Sequence, residues 1–271
     1  MENNAPVLYK FSGAGNDFVI ADGRDKDVAE LRKVDVIGKL CREYSTDGLM
    51  ILDYCPAGSD FSMEFFNPDG SGGMMCGNGG RCIVAFADML GIRPSEGISY
   101  RFTAPDGLHV ATILDKVPGK WTVRLKMIDV KGVTPMKGGY FLNTGTRHFV
   151  KFVDEDVDTI DVDSLGRAFR HDEAFAPEGA NVNFVQEVPD GLRIRTFEKG
   201  VEGETLACGT GITASAIAAY KHGIKGRKEA PGRFVYDLQC HRGDWLSVAF
   251  SPECDSFSDV FLTGPAEIVS I

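Results

Sequence analysis

Hydrophobic and polar residues alternate over many short stretches of the chain, a pattern that predicts half-buried β-strands. The stretches lie at 8–12, 18–22, 49–54, 61–66, 121–128, 149–153, 181–186, 192–197, 234–240, 245–250 and 259–264. Because these strands do not alternate regularly with helical segments, the pattern favours an α+β fold over a doubly wound parallel sheet.

Two segments have helical periodicity instead. Apolar residues follow the i, i+4, i+7 spacing of one helix face at Ile83, Ala87 and Leu90, and again at Ile212, Ala216 and Ala219. Gly91 directly follows Leu90, and Gly223 comes four positions after Ala219. A glycine in the left-handed conformation commonly ends a helix at such a position. We therefore predict a helix that ends near each of these glycines.

The two predicted helices belong to a long-period repeat. Cys76 and Cys208 lie 132 positions apart, each begins a Cys-Gly-x-Gly motif, and each is followed fifteen positions later by Gly-Ile. A weaker pair of similar stretches, "GNDFV" and "GTRHFV", precedes the two cysteines. The repeat predicts two similar halves, 1–130 with Cys76 and 131–263 with Cys208, each wrapping strands around one central helix.

Composition narrows the class of protein. The chain has 271 residues, of which 43% are hydrophobic and 25% charged, as is typical of globular proteins. A net charge of −10 without any Lys/Arg-rich run argues against a nucleic-acid partner. Neither a secretory signal nor an apolar stretch of the roughly 20 residues that a membrane span needs is visible. Seven scattered cysteines favour reduced thiols in a cytoplasmic protein.

Cys76 and Cys208 each precede the N-terminus of a predicted helix. The partial positive charge of such a terminus stabilises a thiolate, so we expect the pKa of each thiol to fall from about 8.5 toward neutrality. The unpaired N–H groups of the same turn can bind a substrate carboxylate. A carboxylate held in a cleft between the two halves would have its α-carbon between two thiols. One thiolate could then remove the α-proton while the opposite thiol protonates the other face, which inverts the carbon.

Other chemistries fit these two cysteines less well. A metal site would need closely spaced Cys or His pairs, and a Cys76–Cys208 disulfide would more naturally be an oxidative inactivation. A thiol hydrolase could pair one cysteine with His148 but leaves the second motif unexplained. "GAGNDF" lacks the last glycine of a dinucleotide fingerprint. The other cysteines are interpreted as small apolar core residues, at positions 41, 55, 82, 240 and 254.

Five stretches carry a resemblance that extends nearly from end to end. They are "FSGAGNDFV", "FFNPDGSGGMMCGNGGRC", "NTGTRHFVKFV", "ANVNFV" and "FEKGVEGETLACGTG". In this order they resemble the diaminopimelate epimerase family. The resemblance implies a cofactor-independent and metal-independent isomerase that interconverts LL- and meso-2,6-diaminopimelate for lysine and peptidoglycan precursors. It also implies two α/β barrel-like halves, with residues 264–271 returning to the first. A homodimer is compatible with it.

The resemblance assigns roles to individual residues. Cys76 and Cys208 match the proton-transferring pair, and His148 and Glu198 match the pair beside the reacting centre, where a carboxylate can neutralise the substrate ammonium. Substrate-binding positions are matched by Asn16, Asn67, Gly77, Asn78, Asn181, Gly209 and Thr210. Without the resemblance, the three asparagines at 16, 67 and 181 would be interpreted as turn residues that bond their own backbone.

The chain also departs from the family pattern. Lys199 stands where the family usually has arginine, and Lys offers a point charge rather than a bidentate fork. The family's Asn-Pro-His reads Thr146-Arg147-His148 here, and Arg147 is a candidate replacement for the missing guanidinium. These changes concern the far end of the substrate, so a racemase for proline, hydroxyproline or histidine stays an alternative. A non-catalytic amino-acid-binding protein is disfavoured by the presence of both cysteine motifs.

Overall fold

The alternating pattern folds mainly into strands. A computed structural model of the chain describes residues 5–55, 58–73 and 75–269. It divides into two compact units: unit 1 runs to Leu125 and includes the chain from Gly264 onward, and unit 2 is Lys126–Thr263. Within the described residues, no helix is both long and apolar enough to cross a membrane.

Unit 1 is built from seven consecutive strands, two helices and the end of the last strand. Its elements are β1 (Leu8–Ser12), β2 (Asp17–Asp22), α1 (Val34–Tyr44), β3 (Gly48–Asp53), β4 (Phe61–Phe66), α2 (Gly77–Met89), β5 (Ser99–Ala104), β6 (Gly107–Val117), β7 (Lys120–Lys126) and the C-terminal part of β18 (Ser256–Val269). Each strand pairs with the next, in parallel for β2–β3 and β4–β5 and antiparallel for the others.

The last strand closes this sheet into a barrel. β18 pairs antiparallel with β7, with Gly264 opposite Val123, and also with β1, with Val269 opposite Lys10. The eight strands therefore form a complete ring, which leaves no unpaired edge strand. α2 is buried from Gly77 to Ala87, as a helix surrounded by strands must be. α1 buries only one face, with Ile37 and Cys41 against the apolar side chains of β2 and β3.

Unit 2 repeats this plan. Its elements are β8 (Val130–Lys131), β9 (Thr134–Met136), β10 (Gly139–Asn143), β11 (Arg147–Phe152), α3 (Val162–Arg170), β12 (Asn181–Val188), β13 (Gly191–Glu198), β14 (Gly203–Thr205), α4 (Gly209–His222), β15 (Arg227–Ala230), β16 (Arg233–Gln239), β17 (Trp245–Glu253) and the N-terminal part of β18. β14 and β15 are short additional strands beside β13 and β16.

Six successive strand pairs have the same order and direction in the two units, whereas unit 2 also pairs β18 with β8 and β10 with β9. β10–β11, β12–β13, β16–β17 and β17–β18 are antiparallel, whereas β11–β12 and β13–β16 are parallel. α4 takes the place of α2, between the equivalents of β4 and β5, and is buried at nearly every position from Gly209 to Ala219. The predicted α+β class with two similar halves around central helices is confirmed.

The structure also corrects details of the sequence interpretation. Gly91 and Gly223 have positive φ at the ends of α2 and α4, as predicted. α1 and α3 were not predicted, although Ile37, Cys41 and Tyr44 of α1 follow the same i, i+4, i+7 spacing. Among the cysteines interpreted as core, those at 41, 82 and 240 are buried. Cys55 is half-buried and Cys254 is exposed in a turn with a φ of 53°, so the core interpretation is wrong for Cys254.

Candidate active site

Cys76 is the N-cap of α2, as its motif predicts. Its Sγ accepts a hydrogen bond of 3.2 Å from the backbone N–H of Gly79, in the first turn of the helix. The glycines make this close approach possible: a Cβ on Gly79 would lie 3.2 Å from the sulfur, and one on Gly80 would lie 2.7 Å from Met75 Sδ. The side chain of Cys76 is half-buried. A partly accessible sulfur that accepts a helix N–H is suited to bear negative charge.

Three polar side chains form a chain of hydrogen bonds beside Cys76. The guanidinium of Arg81 donates to Asn78 Oδ1 at 2.9 Å, and Asn78 Nδ2 donates to Asn16 Oδ1 at 2.6 Å. Asn16 sits at the end of a tight turn in which Ala14 has a φ of 58° and Gly15 a φ of 110°. The structure thus brings Asn16, Asn78 and Cys76 together at the N-terminal end of α2.

Asn67 lies apart from this chain of hydrogen bonds. Its Nδ2 donates to Ser71 Oγ at 3.0 Å, and its backbone N–H donates to the carbonyl of Ser71 at 2.9 Å. The bonds recorded for Asn67 within the described residues stay inside the turn that follows β4. Its substrate-binding role remains a prediction from the family resemblance.

Cys208 is the N-cap of α4 and has different surroundings from Cys76. Cys208 Sγ lies 3.4 Å from Thr210 Oγ1, and hydrogen bonds from Thr210 and from the backbone N–H of Gly211 favour its thiolate. Burial raises the pKa of the Cys208 thiol, and the nearby negative charge of Glu198 raises it further. The expectation that the helix N-terminus lowers this pKa is wrong for Cys208, because burial and Glu198 outweigh the partial charge of the helix. Cys208 is half-buried, as Cys76 is, and the raised pKa favours the thiol form of Cys208.

His148 is fully buried and held by three polar side chains. Its Nε2 lies 2.9 Å from Thr146 Oγ1 and 3.0 Å from Thr210 Oγ1, and its Nδ1 lies 3.1 Å from Asn183 Nδ2. Burial lowers the pKa of His148 to about 3. The ring is therefore neutral at physiological pH.

The proton of this neutral ring can be assigned from Asn183. The amide of Asn183 donates to the carbonyl of Phe149 at 3.1 Å and accepts from Thr196 Oγ1 at 3.0 Å, which fixes its orientation. Nδ1 of His148 must then accept from Asn183, and Nε2 carries the hydrogen. The single Nε2–H of His148 therefore faces the hydroxyls of Thr146 and Thr210, and the Thr210 hydroxyl lies beside Cys208.

The remaining predicted residues of unit 2 lie around the end of β13. Asn181 Nδ2 donates to the carbonyl of Arg147 at 3.0 Å and to Thr146 Oγ1 at 3.3 Å, while its Oδ1 accepts from the backbone N–H of Lys199 at 2.8 Å. Glu198 Oε1 accepts from Thr205 Oγ1 at 2.7 Å. Asn181 thus supports the turn that carries Lys199, and its substrate-binding role remains a prediction from the family resemblance.

The two basic residues that depart from the family pattern have different surroundings. Lys199 is exposed, and within the described residues no ion pair is recorded for its ammonium. Arg147 forms an ion pair with Glu178, and its guanidinium lies 5.1 Å from the ring centroid of Phe141. Because the charge of Arg147 is already balanced, Lys199 is the better candidate for binding a distal carboxylate.

Glycines and threonines complete the turn at Cys208. Thr144 Oγ1 donates to the carbonyl of Thr210 at 2.9 Å, and Thr213 Oγ1 donates to that of Gly209 at 2.9 Å. A Cβ on Gly211 would lie 2.4 Å from Asn183 Oδ1 and 3.3 Å from His148 Cε1. Only glycine at this position lets the first turn of α4 pack directly against the buried His148–Asn183 pair.

The sequence interpretation did not single out Arg81 or Asn183, and it named Thr146 only as part of a departure from the family pattern. Arg81 carried a signal, since a charged residue inside the apolar run of a central helix needs buried partners. Asn183 lies among apolar strand residues and carried a weaker signal of the same kind. As for metals, the described part of the chain contains no group of three or more His, Cys, Asp or Glu side chains placed to hold an ion.

Comparisons with known proteins identify the family of the chain. A family model described as "Diaminopimelate epimerase" matches residues 8–124 and 140–231. The chain is 40% identical over 266 residues to the diaminopimelate epimerase of Flavobacterium psychrophilum, with 97% of each chain covered. It is also 40% identical over 277 residues to that of Aquifex aeolicus, with 95% of this chain and 93% of the relative covered.

Solved structures share the fold at much lower identity. A phenazine biosynthesis protein of the PhzF family from Bacillus anthracis superposes with a TM-score of 0.71 at 13% identity, covering 97% of this chain and 96% of that one. A hydroxyproline epimerase from Agrobacterium vitis superposes with a TM-score of 0.60 at 16% identity, covering 100% and 92%. These two likenesses concern the fold alone. On the match of the family model and on its full-length relatives, the chain belongs to the diaminopimelate epimerase family.

Proposed function

We propose that this protein interconverts LL- and meso-2,6-diaminopimelate by proton transfer between Cys76 and Cys208. The main support for the proposal is that the N-terminal turns of α2 and α4 are alike. In each of two units with the same strand order, the buried central helix begins at a cysteine with a glycine-rich first turn. Inversion of a carbon needs an acid and a base on opposite faces, and a duplicated fold supplies two similar groups. Membership in the family supports this choice of reaction.

The first turns of α2 and α4 are the proposed binding site of the reacting carboxylate. The first N–H groups of a helix have no acceptor within the helix, and the helix dipole favours an anion there. Gly77 and Asn78 begin α2, and Gly209 and Thr210 begin α4. Asn16 adds an amide beside the α2 terminus through its bond to Asn78. A carboxylate bound by these groups can accept the electron pair that is released when the α-proton leaves.

The surroundings of the two sulfurs suggest which one carries the proton at rest. The negative charge of Glu198 disfavours a thiolate at Cys208, so the proposal assigns the resting thiolate to Cys76, whose Sγ accepts the N–H of Gly79. In the proposed step, the α-C–H bond breaks, its proton moves to Cys76, and its electron pair spreads into the carboxylate. The S–H bond of Cys208 then breaks and its proton forms the new C–H bond on the opposite face. The negative charge has moved from Cys76 to Cys208, and the reverse reaction exchanges the two roles.

Glu198 and His148 have supporting roles in this proposal. The carboxylate of Glu198 lies near Cys208, where it can neutralise the ammonium group of the substrate. Its negative charge also disfavours the thiolate of Cys208, so the proton on that sulfur is held until substrate binds. His148 presents its single Nε2–H to the threonine hydroxyls and does not act as a base, because its pKa is far below neutrality.

The substrate class is tested by exchange in D₂O. Purified protein is incubated with diaminopimelate, proline, hydroxyproline and histidine, and NMR follows deuteration and inversion at the α-carbon. The proposal predicts rapid exchange and inversion of diaminopimelate, with the other amino acids much slower, because site groups that pair a distal carboxylate would be left unsatisfied. Comparable kcat/KM on proline or histidine would contradict the diaminopimelate assignment while leaving the two-thiol reaction in place.

We also propose that catalysis needs neither a metal nor pyridoxal phosphate and takes place in the cytoplasm, with an amino acid rather than nucleic acid as the ligand. Seven free cysteines support a reducing compartment. The net charge of −10 supports the absence of a nucleic-acid partner.

A further inference from the structure

Arg81 is a fully buried arginine to which the proposed reaction assigns no role. It lies on α2, five positions after Cys76, and its relative exposure is 0%. Its guanidinium donates to the carbonyls of Gly77 at 3.0 Å, Gly13 at 3.0 Å and Pro265 at 3.2 Å. These bonds join the start of α2 to the turn after β1 and to the returning strand β18. A buried charge with this many aligned acceptors is held in one orientation.

The fourth recorded acceptor of Arg81 is a side chain. Nη2 donates to Asn78 Oδ1 at 2.9 Å. Because a guanidinium has donors only, it selects the carbonyl oxygen of the Asn78 amide and turns Nδ2 away. That Nδ2 donates to Asn16 Oδ1 at 2.6 Å, so the amide of Asn16 is oriented in turn.

The orientation of Asn16 determines what it offers to a ligand. With its Oδ1 engaged by Asn78, its Nδ2 is the end left to interact elsewhere, and no acceptor for it is recorded among residues 5–55, 58–73 and 75–269. A half-buried amide that presents two N–H donors can bind a carboxylate. The opposite orientation would present a carbonyl oxygen, which repels a carboxylate.

The duplicated unit shows that the fold itself does not require this arginine. The equivalent position in α4 is Thr213, whose hydroxyl donates to the carbonyl of Gly209 one turn earlier. α4 is nevertheless buried inside its own unit just as α2 is. Arg81 is therefore a feature of the Cys76 side alone, beside the asparagine pair that α4 lacks.

We propose that Arg81 is a positioning residue that sets the direction of the Asn78–Asn16 hydrogen bonds, so that Asn16 presents its amide N–H groups to the substrate carboxylate. This inference rests on the proposed function. Arg81 acts through the two asparagines and does not contact the substrate. Its effect should therefore appear in substrate binding, and it should vanish when Asn16 has no amide to orient.

The test is a double-mutant cycle with Arg81→Lys and Asn16→Ala, assayed by epimerisation kinetics. Lys has one donor group and cannot reach four acceptors, so the Asn78 amide is free to turn. We expect Arg81→Lys to raise KM on the order of tenfold, as the loss of an oriented hydrogen bond to a charged group does, with a smaller change in kcat. In the Asn16→Ala background, the same substitution should change KM less than about twofold.

Arg195→Lys is the matched control. Arg195 also donates to backbone carbonyls, those of Val157, Asp158 and Ile160, and pairs with Glu204, but it lies in unit 2. Arg195→Lys should lower the thermal midpoint of unfolding without changing KM, both in the wild-type protein and in Asn16→Ala. Equal KM increases for Arg81→Lys with and without Asn16 would overturn the inference. An inactive wild-type protein would instead contradict the proposed function.

A second variant keeps the test decisive if Arg81→Lys does not fold. Asn78→Asp retains an acceptor for Arg81 but has no donor for Asn16, so Asn16 turns and presents its oxygen to the ligand. We expect KM to rise at least tenfold while the thermal midpoint stays near that of wild type, because the buried arginine gains an ionic partner. An unchanged KM for Asn78→Asp would refute the proposed direction of the hydrogen bonds.

Discussion

Replacement of His148 by glutamine should make the protein less sensitive to acid. His148 is fully buried among Thr146, Thr210 and Asn183, and its neutral ring donates from Nε2. Burial lowers its pKa from the ordinary 6.5 to about 3. His148→Gln keeps a side chain that can hydrogen bond but removes the group that titrates.

The size of the effect follows from proton linkage. Above pH 6.5 the ring is neutral in the folded and unfolded states, so its titration contributes nothing to the pH dependence of stability. Below that pH the unfolded chain binds a proton that the folded protein excludes, so the free energy of unfolding falls by about 1.4 kcal/mol per pH unit. The loss continues down to about pH 3, which amounts to roughly 5 kcal/mol at most. At about pH 5 the wild type should already have lost about 2 kcal/mol through this residue.

Urea unfolding at several pH values measures this difference. At neutral pH, His148→Gln should be less stable than wild type, because buried hydrogen bonds to Thr210 and Asn183 are disturbed. The gap should narrow as the pH falls toward 5. Phe149→Leu is the control, since it alters the adjacent buried residue without a titratable group and should shift the whole curve evenly. If the wild-type and His148→Gln curves stay parallel, the buried neutral imidazole is refuted.

Three further predictions concern recognition, packing and cofactors. Lys199→Ala should weaken diaminopimelate binding tenfold to several hundredfold, as loss of a ~1.5–3 kcal/mol charge-assisted contact does, whereas Lys199→Arg should be tolerated. Measurements of KM test this prediction, and an unchanged KM for Lys199→Ala would show that Lys199 does not bind the substrate. Gly211→Ala should displace the first turn of α4 and strongly lower kcat, because its Cβ would lie 2.4 Å from Asn183 Oδ1, whereas Gly203→Ala, with its nearest atom at 3.6 Å, should retain normal kcat. Thiol alkylation should inactivate the protein while chelators leave its rate unchanged, and activity lost on chelation but restored by a divalent ion would contradict cofactor independence.

The features that sequence could predict are those set by local pattern. Strand alternation, the Cys-Gly-x-Gly repeat and the glycine helix ends depend on neighbouring residues, and they identified both units and both cysteines. The partners of Arg81 could not be predicted, because Gly13 and Pro265 lie 68 and 184 positions away and contribute only backbone carbonyls. The raised pKa of Cys208 was missed for a similar reason. It depends on burial and on Glu198, neither of which a helix terminus reveals by itself.

The return of β18 to unit 1 illustrates what topology adds. The alternating pattern at 259–264 predicts one short strand, whereas the structure has a strand of fourteen residues that belongs to both units. Its second half supplies the carbonyl of Pro265 to Arg81 and closes the barrel between β7 and β1. The family resemblance implied this return, and hydrophobic pattern alone could not, because the pairing partners lie more than a hundred residues earlier.

Inversion should require both Cys76 and Cys208, and variants that lack one of the two thiols test this requirement. Cys76→Ala and Cys208→Ala are compared with wild type and with Cys82→Ala, which removes a buried thiol from the interior of α2. Each protein is checked for folding and then incubated with LL- or meso-diaminopimelate in D₂O, with inversion followed from both directions by NMR. We expect Cys82→Ala to invert the substrate and each of the other two variants to lose inversion in both directions, since an acid and a base are needed together. If either Cys76→Ala or Cys208→Ala retained more than a few per cent of the wild-type turnover in both directions, the two-thiol reaction would be contradicted.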